Sequence, residues 1–158
     1  VCCCLLILFT AGPAHASEQL KDDIVLDGGT HHLLNFPLGY AGEWSKTAQA
    51  TLRGLNCSGA WRGYKAFWEV RDEKLWLVKV VDNPCGDDHR AIPLELIVPN
   101  AGSTPLPATW ISGELLVGYD GFVEKQNPRL NYKRYLMLTV ENGRITKREF
   151  QDRKLWDQ

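Results

Sequence analysis

The chain has almost no surplus charge. Its 18 Lys and Arg face 19 Asp and Glu, for a net charge of −1. Nucleic-acid partners, polyanions and strongly charged membrane surfaces go with a clear excess of one sign, so this balance argues against all three. The sequence has no apolar run of the roughly 20 residues a membrane-spanning helix needs. It has no G-x-S-x-G elbow around a nucleophilic Ser and no phosphate-binding Gly loop. It shows no internal repeat, low-complexity tract or linker to a second domain. Helical periodicity is scarce as well. No window of a dozen residues beyond the amino end sustains an i, i+3, i+4, i+7 apolar pattern capped at both ends.

The first residues, VCCCLLILFTAGPAHASEQ, combine a short uncharged apolar run with a Gly12-Pro13 break and an Ala14-His15-Ala16 tail. This pattern reads as a secretory signal peptide over residues 1–16, cleaved after Ala16. The chain begins at Val1 rather than at Met with a basic residue, which points to a truncated start or an alternative start codon. Cys2, Cys3 and Cys4 precede the apolar core and leave with the signal, so none serves as a lipidated first residue. Residues 17–158 are then one domain, periplasmic or secreted, with no integral membrane segment after cleavage. Cys57 and Cys85 remain, and an isolated pair in an exported chain reads as a disulfide. No further Cys and no suitably spaced His accompany them, so neither a metal site nor any cofactor is expected.

Strand signals dominate the rest of the chain. Residues 65–71, KAFWEVR, and 75–81, LWLVKVV, flank Asp72-Glu73-Lys74 as a hairpin. Alternation puts Tyr64, Ala66, Trp68 and Val70 on one face, and Lys65, Phe67, Glu69 and Arg71 on the other. Residues 59–80 hold three of the six Trp together with Tyr64 and Phe67. Rings meeting across paired strands contribute about 0.2–1 kcal/mol per favourable pair, so folding accounts for most of this richness. A second hairpin turns at Asn142-Gly143, a type I′ pair. It sends Leu136, Leu138 and Val140 inward with Ile145 opposite. A third turns at Asp27-Gly28-Gly29. Residues 109–117 read as a strand with Gly113 as a bulge or close approach. Residues 92–98 read as an edge strand or one helical turn because of Pro93. Residues 82–90, 99–108 and 118–131 read as irregular. A short helix is expected at 45–55, capped by Ser45. The fold class is therefore mainly β: a single antiparallel domain, sandwich or partly closed barrel, with one short helix at most.

Chemistry-bearing residues are sparse. His31 and His32 are adjacent in a strand and point to opposite faces, so they cannot chelate one ion. Asp87-Asp88-His89 is a polar turn. Carboxylates are the one enzymatic option: Glu69 paired with Glu114 or Asp120 could act as acid and base on a cell-envelope glycan. The candidate surface for a protein partner or small ligand comprises Arg62, Tyr64 and Glu69 of the first hairpin, with Tyr40 and Trp44 in NFPLGYAGEW as loop aromatics able to stack or to close the core.

The segments CSGAWRGYKAFWEVRDEKLWLVKV, TWISGELLVGYDGF and YKRYLMLTVENGRI resemble a family of uncharacterised bacterial exported proteins. Its pattern is a Cys, then Trp-Arg-Gly-Tyr, Trp-Glu, Leu-Trp-Leu and Trp-x-Ser-Gly. The likeness spans about residues 57–145 and implies a shared small β-rich domain without an assigned activity. Arg62, Gly63, Tyr64, Trp68, Glu69, Trp110, Ser112 and Gly113 are then either a shared site or residues that set the fold. The functional expectation is an exported, non-enzymatic binding protein of unknown ligand, such as an inhibitor or immunity-type partner. The alternatives are the glycan hydrolase and a structural envelope component.

Overall fold

A computed structural model describes residues 19–40, 50, 57–82, 84–98, 102, 104–122 and 132–151. Three two-residue turns organise the chain. Asp27-Gly28, Asp72-Glu73 and Asn142-Gly143 each place both residues at positive φ, the type I′ geometry whose twist matches the strands it joins. They connect β1 (Asp22–Leu26) to β2 (Gly29–Leu33), β3 (Tyr64–Arg71) to β4 (Lys74–Asp82), and β8 (Tyr132–Glu141) to β9 (Arg144–Gln151). Between the hairpins lie β5 (Ala91–Ile92), β6 (Leu106–Pro107) and β7 (Gly113–Phe122).

The nine strands among the described residues share one sheet, and seven of them close a barrel in the order β3-β1-β2-β7-β8-β9-β4, with β4 returning to β3. Of the two mainly β architectures expected from the sequence, a sandwich or a partly closed barrel, the barrel is the one found. One pairing departs from the antiparallel expectation, because β1 runs parallel to β3, with Ile24 opposite Trp68. The seam is narrow. β4 meets β9 only at Lys74↔Arg144, and the rest of its edge is taken by β6 at Trp76 and Leu77 and by β5 at Val80 and Val81. Ala108 O lies where a Cβ on Gly143 would stand, 2.6 Å away, so a glycine lets the segment after β6 close against the last turn.

Alternation fills the barrel. Tyr64, Ala66 and Trp68 of β3, Leu75, Leu77 and Val80 of β4, and Leu136, Leu138 and Val140 of β8 are buried, with Ile145 paired to Val140 as expected. Trp68 is 1 % exposed and is the largest enclosed side chain among the described residues. Leu38 in the 3₁₀ turn Pro37–Tyr40, and Leu94 and Ile97 around the 3₁₀ turn Leu94–Leu96, join the same cluster. Pro93 follows the two-residue strand β5 and precedes this turn, so of the two readings of residues 92–98 the helical turn describes most of the segment.

Several boundaries differ from the sequence reading. The strand expected at 109–117 begins at Gly113 and runs to Phe122, so residues 118–122 are strand rather than loop. Gly113 answers to conformation: its φ is +131 and nothing lies within 4 Å of a Cβ there, so it is not a close approach. The aromatic rings of the first hairpin do not pair with one another. Trp68 stands opposite Leu77, Trp76 opposite Glu69, and Phe67 lies near the ammonium groups of Lys65 and Lys79, with centroid distances of 5.2 and 4.4 Å. The expected signal, residues 1–16, and the helix at 45–55, Ala50 excepted, lie outside the described residues.

Candidate binding site

The loop of residues 57–63 enters β3 and is tied down at almost every residue. Cys57 is disulfide-bonded to Cys85, with Cα atoms 6.5 Å apart. Cys57 and Ala60 form an isolated bridge, and the Gly63 N–H donates to Ala60 O at 2.9 Å. The chain preceding β1 adds three bonds. Leu20 N–H donates to Gly59 O at 2.6 Å, the Gln19 amide donates to Ser58 O at 3.0 Å, and Trp61 N–H donates to Gln19 Oε1 at 2.9 Å. Gly63 has φ +71, a left-handed residue that turns the loop into the strand.

Within this fixed loop, neighbouring side chains take opposite directions. Arg62 turns in. Its guanidinium donates to Leu20 O at 2.8 Å and to Asp22 Oδ1 at 3.3 Å, and it lies 3.6 Å from the centroid of Phe36 and 5.0 Å from that of Tyr64. Asp22 is fully enclosed and also accepts the Ala66 N–H at 3.1 Å and the Trp68 indole N–H at 3.3 Å. Burial raises the Asp22 pKa above its ordinary value, against the opposing pull of Arg62 and of the two hydrogen bonds. Tyr64, also buried, is pushed up to about 12 by burial and then by Asp22. Trp61 turns out and is 66 % exposed, the most exposed of the large hydrophobic residues described.

Two of the residues expected to form a binding surface, Arg62 and Tyr64, are therefore spent on the interior. Tyr64 is only 4 % exposed. Glu69 lies on the outer face of β3, opposite Trp76 and bound by the Arg71 guanidinium, whose hydrogen bonding lowers its pKa. A glycosidase acid needs the opposite shift. Tyr40 ends a 3₁₀ turn, and Trp44 lies outside the described residues. The residues of the family-like pattern are not gathered into one place. Ser112 Oγ accepts the Asn142 N–H at 2.9 Å, beside the start of β4, whereas Tyr64 is paired with Asp82 at its end. Composition alone does not single out Trp61, whose ring reads as one more strand aromatic. The Gly63 that follows Arg62 is the available sign that the strand has not yet begun.

The two His separate as strand geometry requires. His31 stacks on Tyr119 at 4.3 Å, and His32 meets Tyr132 OH at 2.7 Å through Nδ1. Asp87, Asp88 and His89 are exposed, and among the described residues no three His, Cys, Asp or Glu gather as metal ligands. No helix among the described residues is long and apolar enough to cross a membrane. Comparison with family models, curated proteins and solved structures finds no match to this chain.

Proposed function

We propose that this protein is an exported, non-enzymatic binding protein that engages another protein through Trp61, in the manner of an inhibitor or immunity-type partner. One observation carries the reading: a large indole is held in solvent on a loop immobilised by a disulfide and a set of main-chain bonds. A ring fixed before contact loses little entropy on binding, and Trp is enriched among the residues that dominate protein interfaces. Arg62 is the positioning residue, since its inward anchorage to Leu20 O and Asp22 directs its neighbour outward. The disulfide also favours an oxidising compartment, which suits export.

The ligand class is a protein surface with an apolar cleft able to accept an indole. To test this, the domain and its Trp61→Ala variant are immobilised in parallel, and periplasmic or culture extract is passed over both. A species retained by the parent and lost by the variant is expected. Truncating an anchor of this kind costs about 2 kcal/mol or more, roughly a 30-fold loss of affinity. Equal retention by both, or none by the parent, would refute the role given to Trp61.

A further inference from the structure

Among the described residues, the last strand leaves an edge open. β9 pairs with β8 from Arg144 to Gln151. On its other side it meets β4 at Arg144 alone, extended by Ile145 N–H donating to Glu73 O at 2.8 Å. From Thr146 onward no described strand pairs with that side, and residues 146–150 are exposed. The type I′ turn closes on Glu141↔Arg144, so alternate β8 residues Glu141, Thr139, Met137 and Tyr135 direct their main chain toward β9. With the irregularity at Thr146 accommodated, Lys147, Glu149 and Gln151 bond to β8. Arg148 and Phe150 then present N–H and C=O outward. An unprotected edge of this kind is a template for another strand.

The side chains along this edge complement themselves. Lys147 and Glu149 share the outer face, 2.7 Å apart as an ion pair. Arg148 and Phe150 share the inner face, opposite Leu138 and Leu136. If a second β9 lies antiparallel with the two-fold axis at Arg148, each Lys147 stands opposite a Glu149 of the other copy, twice. Sliding by two residues one way sets Lys147 against Lys147, and the other way Glu149 against Glu149. Sliding by one residue sets inner faces against outer. Charge therefore selects a single register. Arg148 at the axis is already held by Asp27 and Glu73, at 2.8 Å each, so its two copies meet as neutralised groups. Phe150, 50 % exposed in the single chain, is covered beside Thr146 of the other copy.

We infer that the protein self-associates through this edge, two β9 strands pairing antiparallel about Arg148 to continue the sheet between copies. The partner is a second copy of this chain because the order Lys147-Arg148-Glu149, reversed in the antiparallel copy, sets Lys147 against Glu149 on both sides of the axis. The interface is small, so the dimer is concentration-dependent.

Sedimentation equilibrium over a range of concentrations reads the association directly. Lys147→Glu and Glu149→Lys each place like charges together twice and should weaken the dimer at least tenfold. An equimolar mixture of the two variants makes every cross-strand pair opposite again and should restore association close to the parent level. Both variants lack the Lys147–Glu149 pair within the chain, so that contact cannot produce the recovery. A parent that stays monomeric at the highest concentration overturns the inference and leaves Lys147 and Glu149 as charges that guard the edge. Association indifferent to the single variants, or unrecovered in the mixture, overturns it too.

Discussion

Asp22 permits a decision between two roles a buried carboxylate can play. It is fully enclosed, close to Arg62 at 3.3 Å, and accepts hydrogen bonds from Ala66 N–H and the Trp68 indole. If its value lay in the charge, neutralising it would strand Arg62 at a cost of about 3–5 kcal/mol, the usual result of breaking a buried pair. Burial nevertheless outweighs Arg62 and raises the Asp22 pKa, so the fold prefers the protonated form relative to water. Arg62 also keeps Leu20 O and the face of Phe36, and its side chain is 16 % exposed. Asp22 is thus needed mainly as an acceptor. Asp22→Asn keeps one acceptor oxygen, whereas Ala66 N–H and the Trp68 indole use different carboxylate oxygens, so one enclosed donor loses its partner and roughly 1–3 kcal/mol is expected. Asp22→Ala leaves two enclosed donors unsatisfied at about 1–3 kcal/mol each, so roughly 2–6 kcal/mol is expected. Urea unfolding followed by Trp fluorescence at pH 7, with the disulfide intact, measures both. The sign of the pH dependence is also fixed. A folded-state pKa above 3.8 means that the native state takes up this proton first, so the stability contributed by Asp22 falls as pH rises through the folded value. The parent should therefore gain on Asp22→Asn as pH drops from neutral toward 4. Asn as damaging as Ala, or a pH difference of the opposite sign, would refute the acceptor role.

Gly143→Ala meets two penalties, a φ of +76 and a Cβ 2.6 Å from Ala108 O, and should lower stability by roughly 2–4 kcal/mol in the same unfolding assay. Gly118→Ala drives a methyl to within 2.5 Å of the buried Tyr132 ring, and about 1–3 kcal/mol of destabilisation is expected by thermal melting. Replacing Cys57 and Cys85 by Ser removes a cross-link spanning 28 residues and should cost about 3–4 kcal/mol in the chain-entropy description. Any partner captured through Trp61 should also bind more weakly to that variant. Glu69→Gln removes a carboxylate whose proton Arg71 already keeps off, and neither unfolding midpoint nor partner capture should change.

The hairpins are legible in the sequence because their determinants are local. Asn142-Gly143 and Asp27-Gly28 supply the positive φ that a two-residue turn demands, and alternation then assigns Trp68, Leu77 and Leu138 to the core without reference to other strands. Asp72-Glu73 shows how far the pattern carries. The flanking runs impose the turn on two residues that rarely adopt it, and Arg148 from a distant strand holds Glu73 at 2.8 Å. The candidate site is legible only in part. Sequence patterning marks residues 59–80 as rich in aromatics and places Tyr64 on the face of Trp68, but it does not foresee that Arg62 turns inward and it does not distinguish Trp61.

What the residues settled by themselves was the repeating part: which positions alternate, where the chain reverses, and that Cys57 pairs with Cys85. Those properties depend on neighbours a few positions away or on totals. Only the tertiary structure decided that β1 runs parallel to β3, that no described strand pairs with the second side of β9 from Thr146 onward, and that Asp22 reaches Arg62 across 40 positions of chain. Each depends on which distant segment arrives at a given side chain. That arrival sends Arg62 inward and leaves Trp61 in solvent, although the two residues are adjacent in the chain.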